Sequence, residues 1–226
     1  MFSVRRGIGR EERVRKRLLA GWQFAGLDGS GRNENLGWHA SGSVGGRMKA
    51  VKTRPGVSSI ADRATASLLR ETYLEPFTNE DPFVCDLNGI RSLSVDAADE
   101  LIAKFVERLR ARREHAVVFV IARAREVIGN THAALRDRGQ AVWAAVIEEG
   151  AEPILIPVGD LEKTERDALE VLYAQGGHVD GVSEPLATLV AKGLVLKTAA
   201  GYQLPGLPPD AIEQAAREET REVAVV

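Results

Sequence analysis

The sequence has little cysteine and little histidine, which limits the covalent and metal chemistry open to it. Cys85 is the only cysteine among 226 residues, so an intrachain disulfide framework and a thiolate-based zinc cluster are excluded. The four histidines are scattered, and none forms the helical H-E-x-x-H pattern of a zinc site. We therefore predict no metal site and no cofactor, in a protein of a reducing compartment.

Long apolar runs are also lacking. No stretch approaches the roughly 18–20 uninterrupted apolar residues of a membrane helix, and no apolar leader segment follows the basic N-terminus. The glycine-rich runs lack the flanking strand, helix and G-K-[ST] ending of a phosphate loop, and no G-x-S-x-G elbow is present in a strand-to-helix context. These absences predict a cytoplasmic protein with no membrane partner and no catalytic residues. An enzyme or small-ligand binder assembled from distant residues stays open.

The charge is distributed unevenly along the chain. Residues 1–60 contain 12 Lys or Arg against 4 Asp or Glu, a net of +8, whereas residues 61–226 contain 18 against 28, a net of −10. Ten of the 22 glycines lie within residues 1–47, in runs too poor in apolar residues to offset the entropy of ordering. We predict that residues 1–55 form a disordered, basic, glycine-rich arm. A short basic helix over residues 10–19 that touches phosphate is the alternative.

Helical patterns recur within residues 56–159. Ser58 or Ser59 is expected to cap a first helix that ends before Pro76. Its apolar residues recur every four positions, at Ile60, Ala64, Leu68 and Thr72. A second helix has a predicted buried stripe of Ala98, Leu101, Ile102, Phe105 and Leu109. Its outward face is expected to carry Asp99, Glu100, Lys104, Glu107, Arg108 and Arg112.

Short apolar runs between these helices predict strands. Residues 83–87 are typical of a buried strand, and the run A-V-V-F-V-I at residues 116–121 predicts a central strand covered on both faces. A helix is predicted over residues 125–137, and residues 141–147 and 152–158 are expected to form a hairpin. The order of elements predicts an α/β fold in which helices pack against a small, mainly parallel or mixed sheet with right-handed crossovers.

Three segments carry a resemblance to a known family. They are A-D-R-A-T-A at residues 61–66, V-C-D-L-N-G-I at residues 84–90 and S-V-D-A-A-D-E-L at residues 94–101. Together they resemble the STAS-like domains of uncharacterised function, with their S-R-x-x-A, D-F-x-G-V and S-x-S-F-A-D-E-L motifs, over roughly residues 56–125. Four positions depart from the family pattern, namely Asp62, Leu87, Asp96 and Ala97.

The resemblance implies regulation by protein binding. Related STAS domains antagonise anti-sigma factors and are switched by phosphorylation of a serine at a strand-to-helix turn, which would fall near Ser94 to Asp96 here. Phosphate at a helix N-terminus meets free backbone N–H groups and adds about −1.5 to −2 charge. The candidate regulatory or partner-binding residues are Ser94, Asp96, Asp99, Glu100 and Arg63.

Each of three candidate residues, Asp96, Ser94 and Arg63, has one or two expected roles. Asp96 either caps the following helix or supplies a fixed negative charge, and Ser94 remains a candidate phosphate acceptor. Arg63 is expected to pair with a carboxylate that holds the first helix on the sheet. We predict that the segment through Asp96 and Glu100 is where a buried sheet edge gives way to an exposed helix, which makes it a docking corner.

Residues 160–207 have their own pattern. Thr164 is expected to cap one helix and Ser183 a second, with Pro185 in its first turn. The phrase G-L-V-L-K…G-Y-x-L then looks like the last helix and wing of a small winged-helix-like domain. Residues 208–226 are predicted to form a polar helix or tail.

Binding of DNA does not follow from that shape alone. Residues 160–207 contain four Lys or Arg against seven Asp or Glu, and affinity for a duplex depends largely on cations that meet phosphates. Lys192 and Lys197 are the candidate DNA contacts. Dimerisation or docking onto another protein is the competing use, because the usual middle helix has no room.

The sequence therefore predicts a cytoplasmic regulatory or adaptor protein that is not an enzyme. It would act through protein–protein interaction by the STAS-like domain at residues 56–159, in partner-switching signalling with an unidentified regulatory protein. The alternative is a DNA-binding transcription regulator with a STAS-like sensor and a winged-helix tail.

Overall fold

A computed structural model of the chain describes residues 51–52, 58–147, 154–181 and 183–206. The predicted arm, apart from Val51 and Lys52, and the predicted tail at residues 208–226 lie outside the described residues. Val51 and Lys52, which the predicted arm includes, form a strand of the main sheet. Among the helices in the described part of the chain, none has both the length and the apolar character needed to cross a membrane.

The described elements alternate between strands and helices. The strands are β1 (Val51–Lys52), β2 (Ser59–Ile60), β3 (Phe83–Asp86), β4 (Ser92–Leu93), β5 (Val118–Ala122), β6 (Ala141–Val146), β7 (Ile154–Gly159), β8 (His178–Val179), β9 (Leu196–Thr198) and β10 (Gly201–Gln203). The α-helices are α1 (Arg63–Leu69), α2 (Val95–Ala98), α3 (Lys104–Arg112), α4 (Arg125–Asp137), α5 (Lys163–Ala174) and α6 (Glu184–Ala191). A π-helical turn at Arg70–Leu74 continues α1, and another at Asp99–Ala103 joins α2 to α3.

The main sheet has the order β1-β3-β5-β6-β7. Its first four strands are parallel to one another, and β7 pairs antiparallel with β6 as the predicted hairpin requires. All five residues of β5 are buried, and β5 lies in the middle of the sheet, so the predicted central strand is confirmed. The mixed α/β class is likewise confirmed.

One face of the sheet is covered by α1 to α4. The predicted stripe of the second helix is confirmed, since its five members are at most 1% exposed and belong to the buried cluster on this face. Phe83 and Phe105 bring the sheet and α3 into ring contact, with centroids 4.5 Å apart. The crossover helices between the parallel strands therefore lie on a single side.

The first helix differs from its prediction. Its N-cap is Asp62, whose carboxylate accepts a hydrogen bond of 2.8 Å from the Thr65 backbone N–H, so the predicted serine caps are wrong. Ser59–Ile60 form a strand instead. The predicted apolar stripe is also wrong: Ala64, Leu68 and Thr72 are exposed, whereas Ala66, Leu69 and Leu74 are buried. The inward-facing side of this helical run includes the charged residue Arg70, which is 2% exposed.

The other face of the sheet is covered by the chain after β7, which we call the C-terminal layer (residues 161–206). Its leucines from α5 and α6 form one buried cluster with sheet residues such as Phe119 and Trp143. The indole N–H of Trp143 donates a hydrogen bond of 3.1 Å to the Leu194 carbonyl, and its ring meets Tyr173 edge-on at 6.1 Å. The predicted boundary at residue 160 therefore crosses a shared buried cluster.

The elements of the C-terminal layer largely follow their predictions. Helix α6 has Ser183 at its N-cap and Pro185 in its first turn, as predicted. Helix α5 begins earlier than predicted, because Glu162 takes the N-cap position and its backbone N–H donates to the Glu165 carboxylate at 2.8 Å, so the Thr164 cap is wrong. Strands β8, β10 and β9 form a small antiparallel sheet.

Candidate functional site

Two helices begin side by side at one end of the first face. Strands β2 and β4 pair in parallel, with Ile60 opposite Leu93, and α1 and α2 follow them directly. We call the residues at these two helix starts, 61–63 and 94–99, the Ser94 corner. It brings together Arg63, Ser94, Asp96 and Asp99, which are more than 30 residues apart between the two segments.

Ser94 is the residue at which the strand gives way to the helix. Its backbone is extended, with φ −66° and ψ 159°, and its hydroxyl oxygen accepts a hydrogen bond of 3.1 Å from the Ala97 N–H. The same hydroxyl donates to the Ala61 carbonyl at 2.8 Å, which ties the start of α2 to the start of α1. The side chain of Ser94 is thus the cap of α2.

Asp96 therefore does not cap the helix, and that prediction is wrong. It lies in the first turn of α2, and Glu100 follows in the same continuous helical run. The predicted change from strand to helix occurs at Ser94 rather than between Asp96 and Glu100, because the serine and not the aspartate has the extended backbone of a cap. Asp96 instead places a carboxylate near the positive end of the helix dipole.

Arg63 pairs with carboxylates across the corner. Its Nη2 lies 2.8 Å from Asp96 Oδ1 and 3.8 Å from Asp99 Oδ2. The hydrogen bond to Asp96 is the main reason that the pKa of Arg63 is raised. The side chains of Arg63 and Asp96 remain 58% and 71% exposed, so a partner could reach both. The predicted pairing of Arg63 is present, but it joins two helices rather than a helix to the sheet.

Asp99 extends the pairing towards α4. Arg138, just after α4, lies 3.1 Å from Asp99 Oδ2 through Nη2 and 2.7 Å from Glu107 Oε2 through Nη1. The hydrogen bond to Asp99 is the largest cause of a raised pKa at Arg138. A string of alternating charges thus crosses the helical layer from Asp96 to Glu107. The pairing of Arg138 could not be predicted from the local sequence, because its partners Glu107 and Asp99 are 31 and 39 residues away.

Glu100 lies beneath the corner rather than in it. The expectation that it faces outward is wrong, because its side chain is only 8% exposed and is held by Arg70 and Lys104. Burial raises the pKa of Glu100, but the hydrogen bonds from Lys104 and Arg70 outweigh burial and lower the pKa to about 2. Glu100 is therefore a buried carboxylate that fixes helices to each other.

Arg70 is the residue that sequence reasoning missed. Its side chain is 2% exposed, and besides Glu100 it reaches Glu75 at 3.2 Å, Glu71 at 3.1 Å and the Glu100 carbonyl at 2.8 Å. An arginine buried this deeply is stable only when its charge and its N–H groups are matched, as they are here. One weak indication of this burial was present in the sequence: Arg70 lies four residues after the buried Ala66 and therefore on the same side of the helix.

The surface of the corner combines charge with apolar groups. Val95 is 42% exposed between Ser94 and Asp96, and Leu68, which lies outside the corner farther along α1, is 64% exposed. Asp62 adds a further exposed carboxylate, whose pKa is lowered chiefly by the hydrogen bond from the Thr65 backbone. Such a surface can bind a protein segment that supplies apolar contact and opposite charge.

The two candidate DNA contacts occupy different surroundings. The Lys192 ammonium group lies 2.9 Å from both the Glu165 carboxylate and the Asp160 carbonyl, and its side chain is only 17% exposed. Lys197 is exposed on β9. Lys192 could meet a phosphate only by leaving Glu165, which is itself buried.

Within the described residues, no group of three or more His, Cys, Asp or Glu side chains is arranged to hold a metal ion. Comparison of the chain with family models, with curated proteins and with solved structures gave no match.

Proposed function

We propose that this chain is a regulatory or adaptor protein that binds a protein partner through the Ser94 corner. The observation that carries the proposal is the exposed Arg63–Asp96 pair with Val95 beside it. Both residues of the pair lie at helix starts that buried contacts hold in place. We further propose that residues 56–159 are a STAS-like domain, as the three motifs and the placement of α1 to α4 on one side of the sheet suggest, and that it works in partner switching.

The contacts that hold the two helix starts together are important for binding. Ser94 joins the two helix starts through Ala61, and Arg70 with Glu100 locks α1 against the helical run that contains α2. A surface that is already ordered loses little conformational entropy when a partner binds. The exposed groups of the corner are therefore held in a binding geometry before any partner arrives.

Ser94 is the residue at which modification would act. Transfer of a phosphoryl group from a nucleoside triphosphate to its hydroxyl would remove the proton that is donated to the Ala61 carbonyl. It would also add about −1.5 to −2 charge two residues from Asp96. The added charge would weaken the binding of a partner that approaches this surface with carboxylates and would favour one that approaches with Lys or Arg, while the lost hydrogen bond would loosen the link between the two helix starts.

The test is photo-crosslinking in the cell of origin. A photoreactive amino acid replaces Val95, and in a matched control it replaces Val171, which is 52% exposed on α5 on the other side of the sheet. We expect a discrete adduct with one protein at position 95 that is lost when Asp96→Arg is added. Adducts of equal yield at both positions, or none at position 95, would contradict the proposal.

DNA binding by a winged-helix-like tail is the second candidate. The DNA-binding candidate is supported by the combination of two helices, α5 and α6, with the small sheet β8-β10-β9. It is weakened because Lys192 is bound to Glu165. A gel-shift series with the chain's own promoter DNA separates the candidates. A shift that weakens steeply with salt and with Lys197→Ala would favour DNA binding by the tail, whereas our proposal predicts that Lys197→Ala leaves any shift caused by the basic residues 1–60 unchanged.

A further inference from the structure

An exposed strip of surface runs along α1 to the Ser94 corner. We call it the α1 face; its members are Ala64, Leu68, Glu71, Thr72, Val95 and Asp96, all exposed. Leu68 and Val95 supply apolar area. Glu71 and Asp96 supply carboxylates that are 57% and 71% exposed, and each of them also pairs with an arginine, Glu71 with Arg70 and Asp96 with Arg63. A surface of this kind fits a segment that carries both apolar groups and positive charge.

The chain itself contains a segment with the complementary chemistry. Residues 10–24 read R-E-E-R-V-R-K-R-L-L-A-G-W-Q-F, with five Lys or Arg against two Glu. Their apolar members are Val14, Leu18, Leu19, Trp22 and Phe24, together with Ala20. Basic and apolar residues are thus combined within 15 positions, as the α1 face requires of its occupant.

The connection of this segment to the fold allows it to reach the same surface. Strand β1 lies against the turn Arg70–Leu74, which directly follows α1, so Val51 lies close to the end of α1. The 26 residues between positions 24 and 51 can span at most about 90 Å, far more than the roughly 10 Å length of α1. A tethered segment acts at an effective concentration that can reach about the millimolar range, so modest contacts suffice.

We propose that residues 10–24 dock intramolecularly on the α1 face and cover the Ser94 corner. The inference rests on the proposed function in one respect, since a docked segment would compete with the partner for Val95 and Asp96. Binding of the partner then requires displacement of the segment, and a change in charge at Ser94 would alter both interactions. The contact is electrostatic in part, so it weakens with salt.

The test uses the full chain and requires no partner. Because Cys85 is buried, a nitroxide label attached to Gln23→Cys reports the position of the segment through the loss of methyl signals. We expect signal loss at Leu68 and Val95 and none at Val171 and Leu196, the exposed apolar residues of the C-terminal layer. The loss should diminish at 1 M salt, where the Debye length is about 3 Å.

A pair of charge reversals makes the test specific. Glu71→Lys should restore the Leu68 signal, whereas the matched change Asp167→Lys on α5 should leave the loss unchanged. Signal loss that is absent, that is equal on both sides of the sheet, or that is greatest at Val171 would overturn the inference. Crosslinking of a partner at position 95 could still succeed in that case, so failure of the inference and failure of the proposed function are distinguishable.

Discussion

Both layers pack on the sheet through buried apolar clusters, and they differ in the polar contacts that join their elements. On the first face, α1 to α4 are joined by ion pairs, from the buried Arg70–Glu100 pair to the exposed Arg63–Asp96 pair. On the second face, the C-terminal layer is joined to the sheet mainly by apolar contacts around Trp143. The first layer therefore has an exposed ion pair at the corner that we propose as the partner site, whereas the Lys192–Glu165 pair of the second layer is largely buried.

Two deeply placed arginines show the same difference. Arg70 is matched by carboxylates, and although burial lowers its pKa, the hydrogen bonds to Glu100 and Glu75 outweigh burial and raise the pKa. Arg110 donates to the Gln140 side chain at 2.8 Å and to the Ala141 and Lys192 carbonyls, so burial alone lowers its pKa to about 10. Arg110 thereby caps the C-terminal end of α6 and fastens the second layer to the sheet.

The largest effect is expected from Trp143→Ala, which breaks the apolar attachment. The substitution removes a side chain that is 1% exposed and leaves the Leu194 carbonyl without its donor. We expect the free energy of unfolding to fall by about 5 kcal/mol, measured by urea denaturation. Val171→Ala, at an exposed position of the same layer, is the control and should change it by less than about 0.5 kcal/mol.

Arg70→Met should have the next largest effect, because it leaves Glu100 buried with only Lys104 as a cation. We expect a loss of about 4 kcal/mol in the same assay. The double variant Arg70→Met, Glu100→Met should recover much of that loss, since no unpaired buried charge remains. The control Arg108→Met, at a half-exposed partner of Glu75, should cost less than about 1 kcal/mol. Equal costs for Arg70 and Arg108 would show that burial does not matter here.

Acid should weaken the first layer through Glu100. Its pKa is lowered from an ordinary value near 4.5 to about 2 by folding, so its contribution is fully present above pH 4.5 and is lost as the pH falls towards 2. The contribution is on the order of 3 kcal/mol. Glu100→Gln should remove this part of the pH dependence between pH 4.5 and 2. An unchanged pH profile in that variant would contradict the assignment.

The smallest effect on stability is expected from Asp96→Asn. The Arg63–Asp96 pair is exposed and screened by water, so its loss should cost less than about 1 kcal/mol. A double-mutant cycle with Arg63→Met measures the coupling between the two side chains. A coupling well above about 1 kcal/mol would mean that the corner is part of the stability of the fold and not a surface reserved for binding.

The sequence predicted those parts of the fold in which the apolar residues follow a pattern with only one structural interpretation. The stripe through Leu101 and Phe105 and the continuous apolar run of β5 each allow a single burial arrangement. The burial of Arg70 and Glu100 could not be predicted, because it depends on a partner 30 residues away. The error at α1 involves the same residue, since the inward-facing side of that helical run includes Arg70.

The candidate site was predicted in part. The motif at residues 94–101 identified Ser94 and Asp96, but a hydroxyl and a carboxylate can both cap a helix, and only the backbone geometry shows that Ser94 has that role. Lys192 is predicted as a DNA contact because it is a cation, whereas its ion pair with Glu165 depends on the packing of α6 beside α5. Local sequence identifies such residues by type, whereas their partners are set by tertiary contacts.

The most direct measurement is the affinity of the purified full chain for the partner identified by crosslinking, with one charge reversed on each layer. Our account predicts that Asp96→Arg weakens binding by about tenfold or more, equivalent to about 1.4 kcal/mol, while Asp167→Arg leaves the affinity unchanged. Equal losses in both variants, or a loss confined to Asp167→Arg, would contradict the assignment of the Ser94 corner as the docking surface.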